Sequence, residues 1–192
     1  MILESLVTTI DQNGHINLAP LGPVVDGPQL KRFVLRPYVG STTCANLLET
    51  GRATIHVCDD VGLFAKTAIG SVDADSLVVP VTAADGEGFW RLKRCHRWFA
   101  VAVTDISGGD PKYEMQTRMV ASGTQDPFFG FNRAKHAVIE ACILATRIHL
   151  LDAQDIRDQM KPFAIAVTKT GGKTEQQAFA AIADFIEKRL ES

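Results

Sequence analysis

The sequence predicts a mainly β protein with α, in which an antiparallel β-barrel is followed by a C-terminal helical bundle. Up to about residue 125, short runs of β-branched and aliphatic residues are separated by Gly, Pro and Asn. Beyond that point, apolar residues recur at the spacing of an amphipathic helix. Many short strands without alternating helices favour an antiparallel barrel over a parallel sheet.

This change of pattern divides the chain into two predicted domains. Residues 1–125 form the barrel domain, and residues 126–192 form a helical extension, which we expect to pack on the barrel and at a dimer interface. The extension has three predicted helices, of which the second is kinked or split at Pro162 and the third opens with a capping box at Thr174–Gln177. Their apolar stripes exceed what one small barrel can cover, so we expect a homodimer.

Turn residues mark the first strands. Asn13-Gly14 is a strong hairpin signal, so residues 2–10 and 15–19 are predicted to pair. Pro20 ends the second strand because proline cannot donate to a β-ladder.

Alternation of residue types and turn residues also predict the later strands. Residues 52–58 alternate between apolar and polar types, which predicts a strand with one buried face. A turn at Gly86-Glu87-Gly88 precedes a long predicted strand from Phe89 to Ile106, and residues 112–122 form the next strand.

Composition excludes several classes of protein. Lys and Arg total 20 against 22 Asp and Glu, and a net charge of −2 argues against a general nucleic-acid binder. The four cysteines are scattered, which suits reduced thiols better than a disulfide framework or a zinc site, and we expect no metal. No signal peptide or membrane span is recognised, so we expect a soluble, cytoplasmic protein.

The segment from Phe33 to Gly51 carries the strongest chemical signal. A short strand ends at Arg36, and a helix begins at Ser41 or Thr42 and ends before Gly51. Helix N-termini bind phosphates through free N–H groups and partial positive charge. One interpretation is therefore an anion site, and the other is an ordinary N-cap beside a surface arginine. The anion site would comprise Arg36, Ser41, Thr42, Thr43 and Asn46.

A second signal lies at the end of the returning hairpin strand, over Asn17–Gly22. Ala19 is small, Pro20 interrupts the ladder and Gly22 exposes backbone, so a flat ring could lie against the main chain here. The alternative is an ordinary strand exit.

Together these two stretches resemble the flavin-reductase-like FMN-binding split barrels. The matching runs are Asn17-Leu-Ala-Pro-Leu-Gly22, and Arg36-Pro-Tyr followed by Gly40-Ser-Thr-Thr43 and Asn46-Leu47. The similarity is closer to a branch of proteins of unknown function with archaeal members, which residues 132–140 also fit.

The resemblance implies a six-stranded split barrel that dimerises and binds FMN near the subunit interface. By matched position, it implies that one set of residues lies along the isoalloxazine ring and another holds the phosphate. Many flavin reductases have Ser where this chain has Gly22, so one hydroxyl contact is absent. The implied ring residues are Asn17, Ala19, Pro20 and Leu21, and the implied phosphate residues are Arg36, Ser41, Thr42, Thr43 and Asn46.

Two further groups of polar residues each allow two interpretations. The first is a cationic run on the long predicted strand, which either meets an anionic ligand or protects a solvated edge strand. The second is one face of the first C-terminal helix, which either reaches a ligand across a dimer interface or is a solvated, salt-bridged face. The cationic run comprises Arg91, Lys93, Arg94, His96 and Arg97, and the helix face comprises His136, Glu140 and Arg147.

The resulting hypothesis is an FMN-dependent oxidoreductase of flavin-reductase type that uses a small-molecule electron donor or acceptor. In such proteins the flavin carries the redox chemistry, so no side chain is assigned as catalytic and the substrate stays unnamed. The alternative is a non-catalytic flavin carrier or ligand-binding module. A third hypothesis is a dimeric interaction protein with a vestigial barrel.

Overall fold

The computed structural model describes residues 1–70, 72–83 and 88–191, and its contacts divide the chain into two compact units. The sheet unit comprises Met1–Cys58 and Asp73–Phe128, and the helical unit comprises Asp59–Val72 and Phe129–Ser192. The helical unit therefore takes one segment from inside the range 1–125, which the hydrophobic pattern did not indicate. The domain boundary at residues 125 and 126 stays a prediction.

The sheet unit contains nine strands in the part of the chain that the structure describes. Seven form an antiparallel sheet in the order β2-β1-β5-β8-β9-β4-β3, and β6 and β7 pair separately. The strands are β1 (Leu6–Ile10), β2 (Ile16–Pro20), β3 (Val24–Val25), β4 (Phe33–Leu35), β5 (Arg52–Val57), β6 (Val78–Thr82), β7 (Gly88–Leu92), β8 (Arg97–Gly109) and β9 (Lys112–Thr124).

Five α-helices accompany the strands within the described residues. One, α1 (Thr42–Thr50), belongs to the sheet unit, and the other four form the helical unit. Those four are α2 (Val61–Ile69), α3 (Arg133–Thr146), α4 (Ala153–Thr170) and α5 (Lys173–Leu190), and short 3₁₀ helices cover Asp75–Leu77 and Ile148–Leu150. None of the described helices has the length and apolarity needed to cross a bilayer.

The prediction of a mixed β and α fold is confirmed. The strand count differs from the predicted six, because seven strands share one sheet and two more pair apart from it. The closure of these strands into a six-stranded split barrel stays a prediction.

The first hairpin forms where Asn13-Gly14 predicted it. Gly14 takes a φ of 89°, and the Asp11 carboxylate accepts the N–H groups of Asn13 and His15 at 2.9 and 2.8 Å. The paired strands are β1 and β2, so β1 begins at Leu6 and is shorter than predicted.

The long strand predicted from Phe89 to Ile106 is wrong, because the chain changes partners within it. Its first part, β7, pairs with β6, whereas β8 pairs with β5 and β9. Between them the chain turns at residues 93–96, where the His96 N–H donates to the Val57 carbonyl at 2.8 Å. Strand-forming residues continue through the point where the chain changes its pairing partners, so a local sequence pattern cannot locate that point. Of the predicted turn before it, Gly86 and Glu87 lie outside the described residues.

A buried histidine connects three strands of the sheet unit. His56 of β5 is fully buried, its Nδ1 donates to the Leu6 carbonyl at 2.9 Å, and its Nε2 accepts the Leu92 N–H at 3.0 Å. Nε2 can accept only when the ring is neutral. Burial lowers the pKa of His56 to about 4, so the neutral ring is the stable form at neutral pH.

The apolar stripes predicted on the C-terminal helices are partly buried within one chain. Ala137, Ala141 and Leu144 of α3 and Ile182 of α5 are buried within this chain. The helices α2, α4 and α5 all pack against α3. The other members of the predicted stripes, Ile148, Phe179 and Phe185, are half-buried, so the expectation of a dimer stays a prediction.

Two helix boundaries also differ from the prediction. α4 continues through Pro162, so the predicted split is wrong, and the predicted kink stays a prediction. α5 begins at Lys173, one residue before the predicted cap at Thr174, and the Glu175 carboxylate accepts the Gly172 N–H at 2.9 Å.

Candidate functional site

The start of α1 is built by Ser41. Its hydroxyl accepts the Cys44 N–H at 3.2 Å and donates to the Tyr38 carbonyl at 2.8 Å. At the other end, Gly51 closes the helix with a φ of 65°. The predicted helix is confirmed, and its first N–H groups have no partners inside the helix and carry partial positive charge.

The residues predicted to hold a phosphate point in two directions. Thr42 is exposed and Ser41 is half-buried. Thr43 and Asn46, which lie one turn apart on the opposite side of α1, are only 6% and 5% exposed. The helix therefore presents an outer set of polar groups to solvent and an inner set to the sheet.

The inner set belongs to a polar network of the buried residues Thr9, Thr43 and Asn46 and the half-buried residue Asn17. The Asn17 Nδ2 donates to the Thr43 hydroxyl at 3.0 Å and, more weakly, to the Thr9 hydroxyl at 3.4 Å. The Asn46 Nδ2 donates to the same Thr9 hydroxyl at 3.1 Å. This network joins β1, β2 and α1, so it brings together the two stretches that the sequence singled out.

The remaining predicted ring residues lie at the end of β2 and just beyond it. Ala19, Pro20 and Leu21 are all half-buried, and β2 is an end strand of the seven-stranded sheet. Leu21 is held on both sides by Ser5, whose carbonyl accepts the Leu21 N–H at 3.1 Å and whose hydroxyl donates to the Leu21 carbonyl at 2.6 Å. Gly22 is fitted tightly, because a Cβ there would lie 2.7 Å from the Ile2 side chain.

Arg36 is held by a partner that the sequence did not reveal. Its Nε and Nη2 donate to one oxygen of Glu114 on β9, at 3.1 and 2.8 Å. The two side chains are 48% and 42% exposed, so water screens the pair and its contribution to stability is about 0–1 kcal/mol. Both bonds come from the Nε–Nη2 edge of the guanidinium, and Nη1 takes no part in the contact with Glu114.

Sequence reasoning missed Thr9, Glu114 and Lys112. The Lys112 ammonium lies 4.0 Å from the centre of the Tyr38 ring, beside the turn that leads into α1. Thr9 lies opposite Asn17 in the hairpin, whereas a two-residue turn at Asn13-Gly14 would set it opposite Leu18, so the turn signal alone does not give this pair. Glu114 and Lys112 lie far from the site in sequence and carry no such signal.

The cationic run does not lie on one strand, because the chain turns within it. Arg94 pairs with Asp126 at 2.9 Å, Lys93 donates to the Ser76 carbonyl at 2.6 Å, and Arg97 lies 4.9 Å from the centre of the Phe99 ring. β8 has neighbours on both sides, so protection of an edge strand does not explain the charge at Arg97.

The polar face of the first C-terminal helix is exposed in this chain. His136 and Glu140 lie on the exposed side of α3, and Arg147 is the residue at which the helix ends. The His136 ring stacks against Phe131 with 6.2 Å between ring centres. Their contact with a ligand across an interface stays a prediction.

The cysteines of the chain are free thiols, and Cys44, Cys95 and Cys142 are buried. Burial raises the pKa of Cys95 to about 11 and that of Cys142 to about 12, so neither thiol is ionised at neutral pH. Within residues 1–70, 72–83 and 88–191, no group of three or more His, Cys, Asp or Glu side chains is arranged to hold a metal.

Comparison with solved structures defines the class of fold. The chain is similar to an FMN-bound protein from Methanosarcina mazei, with 24% identity and a TM-score of 0.84 over 96% of this chain and 94% of that one. It is less similar to flavoredoxin from Methanosarcina acetivorans, with 14% identity and a TM-score of 0.52 over 67% and 72% of the two chains. A candidate flavin reductase with a split barrel domain from Shewanella frigidimarina shares 16% identity and a TM-score of 0.53 over 65% and 68%.

The family follows from the sequence models. The N-terminal domain model of the protein of unknown function family DUF447 matches residues 3–126, and a second DUF447 model matches residues 132–184. The chain belongs to the DUF447 family, and the M. mazei protein carries the same family model. The resemblance drawn from Asn17–Gly22 and Arg36–Leu47 is confirmed.

Proposed function

We propose that this chain binds FMN in its sheet unit and acts as a flavin-dependent oxidoreductase of the flavin-reductase type. One observation carries the proposal: the hydrogen bond from Asn17 to Thr43 joins the stretch Asn17–Gly22 to the first turn of α1. The first is the stretch predicted for a flat ring, and the second is the stretch predicted for a phosphate. The strands around them would close into the six-stranded split barrel that the family resemblance implies.

The start of α1 fits a flavin phosphate. A phosphate monoester carries about −1.5 to −2 charges at neutral pH, and the free N–H groups of α1 favour such an anion. Thr42 adds an exposed hydroxyl, and Ser41 adds a second if its hydroxyl turns from the Tyr38 carbonyl to the phosphate. Arg36 adds a guanidinium whose Nη1 end is not engaged by Glu114.

The end of β2 fits an isoalloxazine ring. Ala19, Pro20 and Leu21 offer partly exposed apolar surface without long side chains, and Asn17 places a carboxamide beside it. FMN would supply the redox chemistry when bound, and the residues of this chain would orient the ring and limit its contact with water. Thr43 and Asn46 belong to this site through the polar network.

The freshly purified protein is expected to show the visible absorption bands of a bound flavin, because the proposed site contacts both ring and phosphate. Denaturation should release FMN, which chromatography distinguishes from riboflavin and FAD. A colourless protein that cannot be reconstituted with FMN would contradict the proposal and favour an interaction protein with a vestigial barrel.

Steady-state turnover separates the enzyme from the alternative, a non-catalytic flavin carrier or ligand-binding module. The oxidoreductase should oxidise a reduced nicotinamide nucleotide, or another small-molecule donor, over many cycles in the presence of an acceptor. A carrier would show at most one reduction per bound flavin.

We also propose that the protein is a cytoplasmic homodimer. Free thiols suit a reducing compartment. Phe129 and Phe131 of the helical unit are 73% and 90% exposed, and adjacent exposed aromatic rings are typical of interaction surfaces. Sedimentation equilibrium should give twice the 20.9 kDa mass of one chain, and replacing both residues with serine should shift the protein to monomer. A wild-type monomer at micromolar concentration would contradict this proposal.

A further inference from the structure

Thr43 was assigned to the phosphate by its place in the family motif, but its surroundings favour another role. Its side chain is 6% exposed and lies on the inner side of α1, where the hydroxyl accepts the Asn17 Nδ2 at 3.0 Å. Its neighbour Thr42 is exposed on the outer side. The structure therefore separates two adjacent hydroxyls, one facing solvent and one facing Asn17.

Thr9 completes the arrangement from β1. Its hydroxyl is 3% exposed and accepts from both Asn17 and Asn46, at 3.4 and 3.1 Å. Asn17 itself is half-buried, but its Nδ2 donates to two buried hydroxyls, so these two bonds restrict the orientation of its carboxamide. The stronger of its two bonds is the one to Thr43.

We propose that Thr43, with the support of Thr9, is a positioning residue that fixes the Asn17 carboxamide toward the flavin ring, and that it is not a phosphate ligand. This inference rests on the proposed function. Its consequence is that recognition of the ring and recognition of the phosphate depend on opposite sides of α1. The ring side works through Asn17, and the phosphate side works through Ser41 and Thr42.

The two roles predict different losses of flavin affinity. Thr43→Val keeps the side-chain shape and removes the hydroxyl that holds Asn17, so FMN and riboflavin should both bind about 3- to 10-fold more weakly. A phosphate ligand would behave differently, because riboflavin has no phosphate and its affinity would be unchanged. Titration of both flavins into the apoprotein, followed by fluorescence, measures the two dissociation constants.

Thr54→Val is the matched control. Thr54 lies on the adjacent strand β5, is 1% exposed, and its hydroxyl has no hydrogen-bond partner among the described residues. The same substitution there removes a buried hydroxyl without breaking a bond, so both affinities should stay within about twofold of wild type. Thr43→Ser retains the hydroxyl and should restore most of the affinity.

A double-mutant cycle distinguishes positioning from a general structural effect. If Thr43 acts through Asn17, Thr43→Val should cost less than about twofold once Asn17→Ala is present. The inference is overturned if the affinity losses of the two single variants multiply fully in the double variant. It is also overturned if Thr43→Val weakens only FMN. Should Thr43→Val fail to fold, the same cycle with Thr9→Val and Asn17→Ala tests the network. A wild-type protein that binds neither flavin would overturn the proposed function itself. If wild type binds both flavins and the losses in the double variant multiply fully, only the inference about Thr43 is overturned.

Discussion

Arg36→Ala should weaken FMN binding roughly 10- to 150-fold and leave riboflavin binding almost unchanged. A guanidinium bonded to a charged phosphate contributes about 1.5–3 kcal/mol, and riboflavin lacks the group that Arg36 would contact. The pair with Glu114 is half-exposed, so its loss should cost the fold little. Fluorescence titration of both flavins into wild type and variant measures the difference.

Glu114→Gln is the control for this prediction. It removes the charge that pairs with Arg36 at 2.8 Å but keeps Arg36, so FMN affinity should not fall. Thr42→Val should act in the same direction as Arg36→Ala but less strongly, because backbone N–H donors remain at the start of α1. Equal losses of FMN and riboflavin in Arg36→Ala would mean that Arg36 supports the fold. The phosphate site would then have to lie elsewhere, and residues 91–97 would be the next candidate.

Acidification from pH 7 to pH 4 should remove about 3 kcal/mol of stability through His56 alone. Its pKa falls from an ordinary 6.5 to about 4 in the folded protein, and each pKa unit corresponds to about 1.4 kcal/mol. The unfolded chain binds the proton first, so the stabilisation is complete above pH 6.5 and is lost as the pH falls toward 4. Chemical denaturation at a series of pH values measures this dependence.

The comparison that isolates His56 is His56→Gln. This variant should be less stable than wild type at pH 7, because the bonds to Leu6 and Leu92 are disturbed. Its further loss between pH 7 and pH 4 should be about 3 kcal/mol smaller than that of wild type, since carboxylates act equally in both proteins. His15→Asn should lose at least as much stability as wild type over this range, because the bond to Asp11 raises the pKa of His15 and its protonation stabilises the folded protein. Parallel pH curves for wild type and His56→Gln would contradict the prediction.

Local signals predicted the parts of the fold that are themselves local. Ser41 and Gly51 set the ends of α1, and Asn13-Gly14 set the first hairpin, because capping and tight turns depend on a few adjacent residues. The break at residues 93–96 depends on which strands β7 and β8 pair with, and those partners are distant in sequence. No local pattern carries that information.

In the candidate site, too, some features follow from local sequence and others depend on long-range pairing. The motif residues were found from the chain, and their spacing places Thr43 and Asn46 on one face of α1, but only the structure shows that this face points inward. The partner of Arg36 did not follow, since it depends on the register between β4 and β9, where Leu35 lies opposite Met115. A motif thus predicts which residues gather at a site, and the long-range register decides which of them are already engaged.

The membership of α2 in the helical unit determines when that unit can be completed during synthesis. Residues 59–72 leave the ribosome about 60 residues before α3 begins, yet the partners of α2 are α3 and α5. The packing of α2 against α3 can therefore be completed only after residue 146 has been made, and its packing against α5 only after residue 190. A chain that stops after residue 128 lacks both α3 and α5, and a fragment that starts at residue 129 lacks one of the four helices of the helical unit. Neither half of the polypeptide can be cut out as an independent piece at a single point.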